Sequence, residues 1–238
     1  MKKEITYLIN HYYRLQEHRI AFAGQIRALK EAKLPTEPLD YYFEKFSEME
    51  KEIIRHLKKA IAQEPLWKDY LKGVKGIGPV IASGLINLID FKKARHVSSL
   101  WKYAGRDVVD GEARSRKKKH LVPKTYKNKQ GKKIKTQGIS FNPLLKTLTW
   151  KAGVSFLKSG SPYRKIYDER KKYERRKHPE LTRGHIHNRA MTYMIKRFLL
   201  HLWIEGRKIE GLPVSEPYVI AKLGHRKIED GINRESAN

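Results

Sequence analysis

Residues 66–89 read LWKDYLKGVKGIGPVIASGLINLI, a stretch that decides the fold because it joins two apolar segments through a glycine-rich turn. Gly76 and Gly78 permit backbone conformations that are closed to other residues, and they let the chain approach a phosphate closely. Pro79 suits the first turn of a helix, where free backbone N–H groups attract an anion. We therefore predict a short helix, a tight turn and a second helix, the arrangement called helix-hairpin-helix.

The chemistry of this turn favours contact with a nucleic-acid backbone. Lysines flank the glycines, and backbone N–H groups fix a protein on phosphates without reading bases. A Gly-Pro corner inside an all-helical core is the alternative interpretation. The residues of this stretch predicted to contact DNA are Lys72, Lys75, Gly76, Ile77, Gly78 and Val80.

The composition predicts a polyanionic partner. The 238 residues contain 52 Lys and Arg against 25 Asp and Glu, a net charge of +27, which makes nucleic acid the default partner. Cysteine is absent, which excludes disulfides, thiolate metal sites and thiol nucleophiles. No run of about 18 apolar residues and no signal-peptide pattern occurs. We therefore expect no membrane partner and a cytoplasmic, nucleoid-associated protein.

The first 64 residues carry the pattern of a helical hairpin. Apolar residues recur at alternating three- and four-residue spacing over residues 5–29 and again over 39–60, with two prolines between the segments. If the helices pack antiparallel, Arg19 and Glu50, the polar breaks in each segment, face each other and fix the register. We predict an antiparallel coiled-coil stalk at residues 1–64 that serves as a homo-oligomer surface. Two amphipathic helices packed on the following domain are the alternative.

A strongly basic insert occupies residues 111–140, where eleven Lys and Arg accompany one acid, Glu112. The alternation from Tyr126 to Thr136 predicts a β-hairpin that lies along phosphates, with Tyr126 available for stacking. A solvated loop that orders on binding is the alternative. The insert residues predicted to contact DNA are Arg114, Arg116, Lys117, Lys118, Lys119, Lys124, Lys127, Lys132, Lys133 and Lys135.

Helical patterns dominate the rest of the chain. Ser98 or Ser99 caps a predicted short helix over 100–104, and three longer helices follow, one from Asn142-Pro143 to Gly160, a basic one over 163–177 and one over 183–205. The predicted class is therefore mainly α. The predicted domains are the stalk at 1–64, a helical domain at 65–206 with its basic hairpin or loop insert, and a tail at 207–238.

The sequence offers few groups for chemistry. His185 and His187 diverge on a helix and cannot share a metal ion, and no acid-bearing hydrophobic strand of a two-metal nuclease is visible. We expect no cofactor, with Mg²⁺ required only if a nuclease partner supplies an acidic site. Ser115 and Ser140 are the candidate serine nucleophiles, because neighbouring arginines can stabilise a phosphoryl transition state.

Several segments taken together resemble a known family. The stretch Gly76-Ile-Gly-Pro, the stretch Leu100-Trp-Lys-Tyr-Ala-Gly and the stretch Gly138-Ile-Ser resemble the C-terminal transposase domain of the insertion-sequence one-ten (Piv/MooV-type) transposases. Order and spacing agree over about residues 66–205, and the predicted stalk is similar to the coiled coil of that family. The resemblance implies transposition or recombination on DNA, a structured RNA as a second partner and a catalytic serine.

The chain also departs from that family. Its members carry a RuvC-like nuclease domain with four acidic residues, and these 238 residues contain no such segment. The family's serine lies in a Ser-Ser-Gly-Gly-like segment that corresponds to Ser115, where Arg116 and Lys117 follow instead of glycines. Three hypotheses remain: a transposase-like DNA-binding protein, the serine-dependent strand-exchange subunit of a split recombinase, and an architectural DNA- or RNA-binding protein.

Overall fold

A computed structural model of the chain describes residues 3–214, which form eight α-helices and two small antiparallel sheets. The predicted mainly α class is confirmed. The described chain divides into two compact units. One contains the residues up to Leu71 together with Gly78–Leu88, and the other contains Lys72–Ile77 and the residues from Ile89 onward. Most of the predicted tail, residues 215–238, lies outside the described residues.

The first unit is built on a helical hairpin. Its helices are α1 (Lys3–Glu31), α2 (Glu37–Ile61), α3 (Pro65–Asp69) and α4 (Pro79–Leu88). The Arg19 guanidinium Nε lies 2.7 Å from Glu50 Oε1, and the rings of Phe22 and Phe46 lie 5.6 Å apart. The predicted facing of Arg19 by Glu50 is confirmed, and the contact between Phe22 and Phe46 follows the same antiparallel register.

Helix α4 packs against the open end of this hairpin. Val80 is buried in one apolar cluster with Ile5, Ile9 and Leu57, and Asn87 Nδ2 donates a hydrogen bond of 2.9 Å to Thr6 Oγ1. The sequence predicts that α4 belongs to the domain at residues 65–206. In the structure α4 belongs to the same compact unit as the hairpin, because its apolar face packs into that cluster.

The second unit contains α5 (Val97–Tyr103), β1 (Val108–Val109), β2 (Glu112–Ala113), β3 (Leu121–Lys127), β4 (Lys133–Ile139), α6 (Pro143–Ser159), α7 (Pro162–Lys177) and α8 (Arg183–Ile209). Its core lies between the three long helices. Phe156, Tyr163 and Phe198 meet there with ring centroids 4.8–5.5 Å apart. The predicted start of α6 is confirmed, since Asn142 caps it by accepting a hydrogen bond from the Leu145 N–H.

Two predicted helix boundaries are wrong. Helix α5 begins at Val97 after His96, before the proposed serine cap, because Val97 and Leu100 must both turn inward to be buried. Helix α8 continues through Gly206 to Ile209. Gly206 lies against the Phe91 ring, where any Cβ would clash. This glycine permits close packing and does not end the helix.

The basic insert contains the predicted β-hairpin. Strands β3 and β4 pair antiparallel from Leu121 opposite Ile139 to Lys127 opposite Lys133. Asn128 organises the turn, because its Oδ1 accepts hydrogen bonds from the N–H groups of Gln130 and Lys132. The structure forms paired strands over these residues. None of the described helices is both long and apolar enough to cross a membrane.

Candidate nucleic-acid interface

The register of β3 and β4, together called the basic hairpin, sorts its side chains onto two faces. Residues opposite each other share a face, and neighbours along a strand point to opposite faces. One face carries Lys127, Lys133 and Lys135 near the turn, and the other carries Lys124, Tyr126 and Ile134. All three lysines of the first face are exposed. This face of the basic hairpin is therefore a compact row of positive charge.

The charge row places like charges together. Lys127 and Lys133 stand directly opposite in the register, and Lys135 lies on the same face two residues further along β4. Like charges directly opposite in an antiparallel pair destabilise it. An anion bound along this face would remove that cost. Tyr126 is 53% exposed on the other face, so its ring is free to stack on a base.

Other predicted contact residues of the insert already have partners. Arg114 is buried and holds the Asp107 carboxylate through Nε and Nη2 at 2.8–2.9 Å, while its Nη1 donates to Ser140 Oγ. Lys117 and Lys119 both bind Glu112, and their hydrogen bonds lower the pKa of that carboxyl to about 2. Among the described residues, the exposed cations of the insert that form no ion pair are Arg116, Lys118, Lys124, Lys127, Lys129, Lys132, Lys133 and Lys135.

The predicted helix-hairpin-helix residues fall into three groups. Lys72 and Lys75 are exposed, and the side chains of Ile77 and Val80 are buried, so only their backbone could contact a ligand. Gly76 has a φ of +98°, and a Cβ there would meet Ser159 and Phe156. Packing within the second unit therefore explains Gly76.

Gly78 has no such internal explanation. The φ of Gly78 is not positive, contrary to our expectation. A Cβ added at this position would meet no other heavy atom within 4 Å. Helix α4 begins at the next residue. An exposed glycine with free space beside a helix N-terminus leaves room for a ligand's close approach.

A pocket of about 390 Å³ lies beside Ser115. We call it the cationic pocket, and its lining is Arg106, Ser115, Arg116, Phe141, Pro143, Lys146, Thr147 and Trp150. Gly105 makes the pocket possible, because it turns the chain with a φ of +61° and lies where a Cβ would come within 2.8 Å of the Phe141 ring. The Tyr-Ala-Gly sequence thus ends α5 and sends Arg106 inward.

Two cations that line the pocket, Arg106 and Lys146, have no carboxylate partner among residues 3–214. Arg106 is 6% exposed and donates to Thr149 Oγ1 and to the Lys146 carbonyl. Lys146 Nζ donates to the Arg114 carbonyl. Arg106 lies over the Trp150 ring and Lys146 over the Phe141 ring, contacts that stabilise a cation without neutralising it.

The pKa values of the Arg106 and Lys146 side chains are both lowered, as expected for cations without a counter-ion. Burial lowers the pKa of the Arg106 guanidinium to about 10. Burial, followed by the charge of Arg106, lowers the pKa of the Lys146 ammonium. Asp107 opposes the latter shift, but its carboxylate is already shared with Arg114. A bound anion would stabilise both cations.

Ser115 lies next to a buried histidine. Its Oγ is 2.9 Å from His120 Nδ1, which also accepts the Ser115 backbone N–H at 3.0 Å. An acceptor Nδ1 places the ring proton of neutral His120 on Nε2. His120 is 2% exposed, and its Nε2 has no hydrogen-bond partner in the described chain. Ser115 and His120 thus have the distance of a nucleophile–base pair, without a third group that orients the base.

The other candidates for chemistry have structural partners. Ser140 Oγ accepts from Arg114, and His187 Nδ1 lies 2.7 Å from the Tyr167 hydroxyl. His185 is exposed at the start of α8. Over the described residues, no group of three or more His, Asp or Glu side chains is arranged to hold a metal ion.

The sequence did not indicate two cations of the pocket, Arg106 and Lys146, or the histidine beside Ser115, His120. Arg106 and Lys146 lie 40 residues apart and meet only through the fold. His120 follows Ser115 by five residues, a spacing that the short 3₁₀ turn at Lys118–His120 converts into contact. The detectable signal was a histidine close to a serine within a run of lysines.

No protein-family profile, curated protein or solved structure matches this chain.

Proposed function

We propose that this protein binds nucleic acid, with DNA as its main ligand, through the basic hairpin and through the exposed lysines and Gly78 of the predicted helix-hairpin-helix. The observation that carries the proposal is the like-charged pair Lys127 and Lys133 with Lys135 beside it. Such a row is unfavourable in the free protein and favourable against phosphates. Transposition or recombination is the proposed process, and it rests on the family resemblance in the sequence.

The first experiment tests the basic hairpin by fluorescence anisotropy. The variant Lys127→Gln/Lys133→Gln/Lys135→Gln should bind duplex DNA more weakly than the unmodified protein. On duplex DNA the log–log salt slope should become shallower by about 0.9 per lost phosphate contact. The substitutions relieve repulsion, so the basic hairpin should still form.

A matched control removes equal charge from α2. Lys51→Gln/Lys58→Gln/Lys59→Gln changes three exposed lysines of the helical hairpin and should leave the salt slope nearly unchanged. Equal losses in both variants would show that affinity follows net charge alone. The basic hairpin would then have no special role.

A separate variant tests the predicted helix-hairpin-helix. Gly78→Ala should fold normally, since its Cβ meets nothing, yet weaken binding if a phosphate approaches this backbone. Gly76→Ala is a poor test because the positive φ and the contact with Phe156 make it destabilising. Normal affinity in Gly78→Ala would contradict the role of this turn.

The choice of nucleic acid requires matched ligands. Duplex DNA, a four-way junction and structured RNA should be titrated under the same salt conditions. Preference for the junction supports a recombination role, and preference for RNA supports the second partner implied by the resemblance. Equal, weak and salt-sensitive binding to all three supports an architectural role.

Homo-oligomer formation through α1 and α2 belongs to this proposal and is tested by sedimentation of the free protein.

A second candidate function is serine-dependent strand exchange, favoured by the 2.9 Å contact between Ser115 and His120 at the cationic pocket. Ser115 Oγ would attack a backbone phosphorus while its proton passes to His120 Nδ1. One P–O bond to the sugar breaks, and the released sugar oxygen takes up a proton from water. The phosphodiester is conserved as a serine ester, and a nuclease partner with Mg²⁺ would make the complementary cut.

This candidate predicts a covalent protein–DNA adduct that survives denaturing electrophoresis. Ser115→Ala should abolish the adduct and leave DNA affinity unchanged. His120→Gln keeps a hydrogen-bond acceptor but cannot take up the proton, so it should slow adduct formation. Failure to trap an adduct with any of the three ligands would leave a binding protein only.

A further inference from the structure

We propose that the cationic pocket is a binding site for one phosphate group of a nucleotide, held by Arg106 and Lys146. The nucleotide as the source of that phosphate rests on the proposed function, whereas the anion site itself rests on the geometry of the pocket. The basic hairpin tracks a strand by its surface charge. The pocket instead offers a defined place for a single phosphate.

The charged groups around the pocket are paired selectively. Asp107 is engaged by Arg114 through three contacts of 2.8–2.9 Å. Arg106 and Lys146 have carbonyl, hydroxyl and aromatic partners, none of which carries a formal negative charge. A buried charge without a counter-ion is costly. A phosphate would provide the missing charge and accept hydrogen bonds from both groups.

Local backbone geometry points the same way. Pro143, Lys146 and Thr147 lie in the first turns of α6, a helix of 17 residues. The N-terminal end of such a helix carries a partial positive charge. Asn142 satisfies the Leu145 N–H, so the helix adds its electrostatic field, while Arg106 and Lys146 supply the hydrogen bonds.

The size and lining of the pocket fit a nucleotide better than a free ion. A volume of about 390 Å³ exceeds what one phosphate fills. Phe141, Pro143 and Trp150 provide an apolar wall suited to the sugar or base attached to it. Exposed Arg116 stands at the same pocket, where it can reach a second phosphate of the same strand.

Fluorine NMR localises binding to the pocket. The chain has four tryptophans, and labelling with 5-fluorotryptophan gives each its own signal, assigned by substitution with Phe. Titration with inorganic phosphate, at ionic strength held constant with chloride, should shift the Trp150 signal in a saturable manner. The signals of Trp67 and Trp203 should stay fixed. Thymidine dinucleotides with and without a 5′-phosphate then distinguish a terminal phosphate from an internal one.

Two lysine variants separate the pocket from general charge. Lys146→Met keeps the apolar contact with Phe141 and should raise the Kd for phosphate about tenfold or more, as expected for a lost charged hydrogen bond. Lys171→Met removes another partly buried lysine that lies over an aromatic ring, Tyr167. It should leave phosphate binding unchanged. Arg106→Lys, which retains charge but loses the guanidinium fork, should bind more weakly than the unmodified protein.

The outcomes decide between this site and diffuse attraction. A Trp150 shift that is linear, equal for chloride and phosphate, or shared by all four tryptophans would overturn the phosphate site. Equal weakening by Lys146→Met and Lys171→Met would do the same. These results are independent of the anisotropy titrations, so the site could fail while DNA binding by the basic hairpin stands, and the reverse also holds.

Discussion

The ion pair between Arg19 and Glu50 should make the helical hairpin respond unequally to loss of either partner. Glu50 has a side chain that is 8% exposed, whereas that of Arg19 is 27% exposed. Arg19 reaches both carboxylate oxygens, with Nε 2.7 Å from Oε1. Removing Arg19 strands the more deeply buried charge. Removing Glu50 strands the charge that can still reach water.

These exposures set the expected magnitudes. Breaking a fully buried pair costs about 3–5 kcal/mol. Arg19→Met should therefore cost about 3 kcal/mol, at the lower end because the pair lies near the surface. Glu50→Leu should cost about 1 kcal/mol, since the remaining guanidinium is partly hydrated. The double variant Arg19→Met/Glu50→Leu should be within about 1 kcal/mol of the unmodified protein.

The assay must report on the first unit alone, because the two units need not unfold together. Trp67 is the one tryptophan in that unit, and the other three lie in the second. Urea unfolding followed by the fluorotryptophan signal of Trp67 isolates it. Far-UV circular dichroism then measures total helix loss as a control.

The double variant gives the decisive result. Additive losses from the two single variants would show no coupling between Arg19 and Glu50, and would refute the pair as the feature that fixes register. A larger cost for Glu50→Leu than for Arg19→Met would refute the assignment of the more buried charge. A stable double variant with altered association would show that the pair contributes specificity rather than stability.

Two further predictions concern the second unit. Gly206→Ala should destabilise this unit by about 1–3 kcal/mol, because the added methyl group overpacks against Phe91. Phe91→Leu should restore part of that stability. The control Gly184→Ala, in the same helix, has free space for the methyl group and should cost no stability, and urea unfolding measures all of these variants. Burial, and then the charge of Lys171, lowers the pKa of the His187 imidazole. The unfolded chain therefore binds a proton at this imidazole more readily than the folded chain does. The free energy of unfolding should fall as the pH drops below about 6.5. His187→Gln should flatten that part of the pH–stability profile, and an unchanged profile would count against the shift.

Local rules in the sequence predicted much of the fold. Heptad spacing predicted the hairpin of α1 and α2, and the two polar breaks predicted its register at Arg19 and Glu50. Alternation and the turn residues Asn128 and Gly131 predicted β3 and β4. These features depend on neighbours close in sequence or on one constant pairing. Where a long-range contact decides the structure, as for Gly206 against Phe91, the same local rules gave the wrong helix end.

The candidate site was less accessible to sequence reasoning. The basic insert stood out by its charge, but charge does not say which cations are free. Glu112 forms ion pairs with Lys117 and Lys119, and Asp107 forms an ion pair with Arg114. The cationic pocket depends on contact between α6 and the turn after α5, which no spacing rule predicts. Likewise, only the folded structure shows that His120 is buried beside Ser115.

Unpaired positive charge is more informative here than total charge. Where a buried acid needs partners, this chain supplies them, as for Glu174, which is fully buried and lies 2.5 and 2.7 Å from the guanidinium groups of Arg170 and Arg189. Acids also pair cations next to the proposed sites. Against that background, the facing pair of Lys127 and Lys133 and the buried guanidinium of Arg106 carry a cost in the free protein. A bound phosphate would remove that cost in both places, so the free energy of these unpaired charges contributes to affinity for a polyanion.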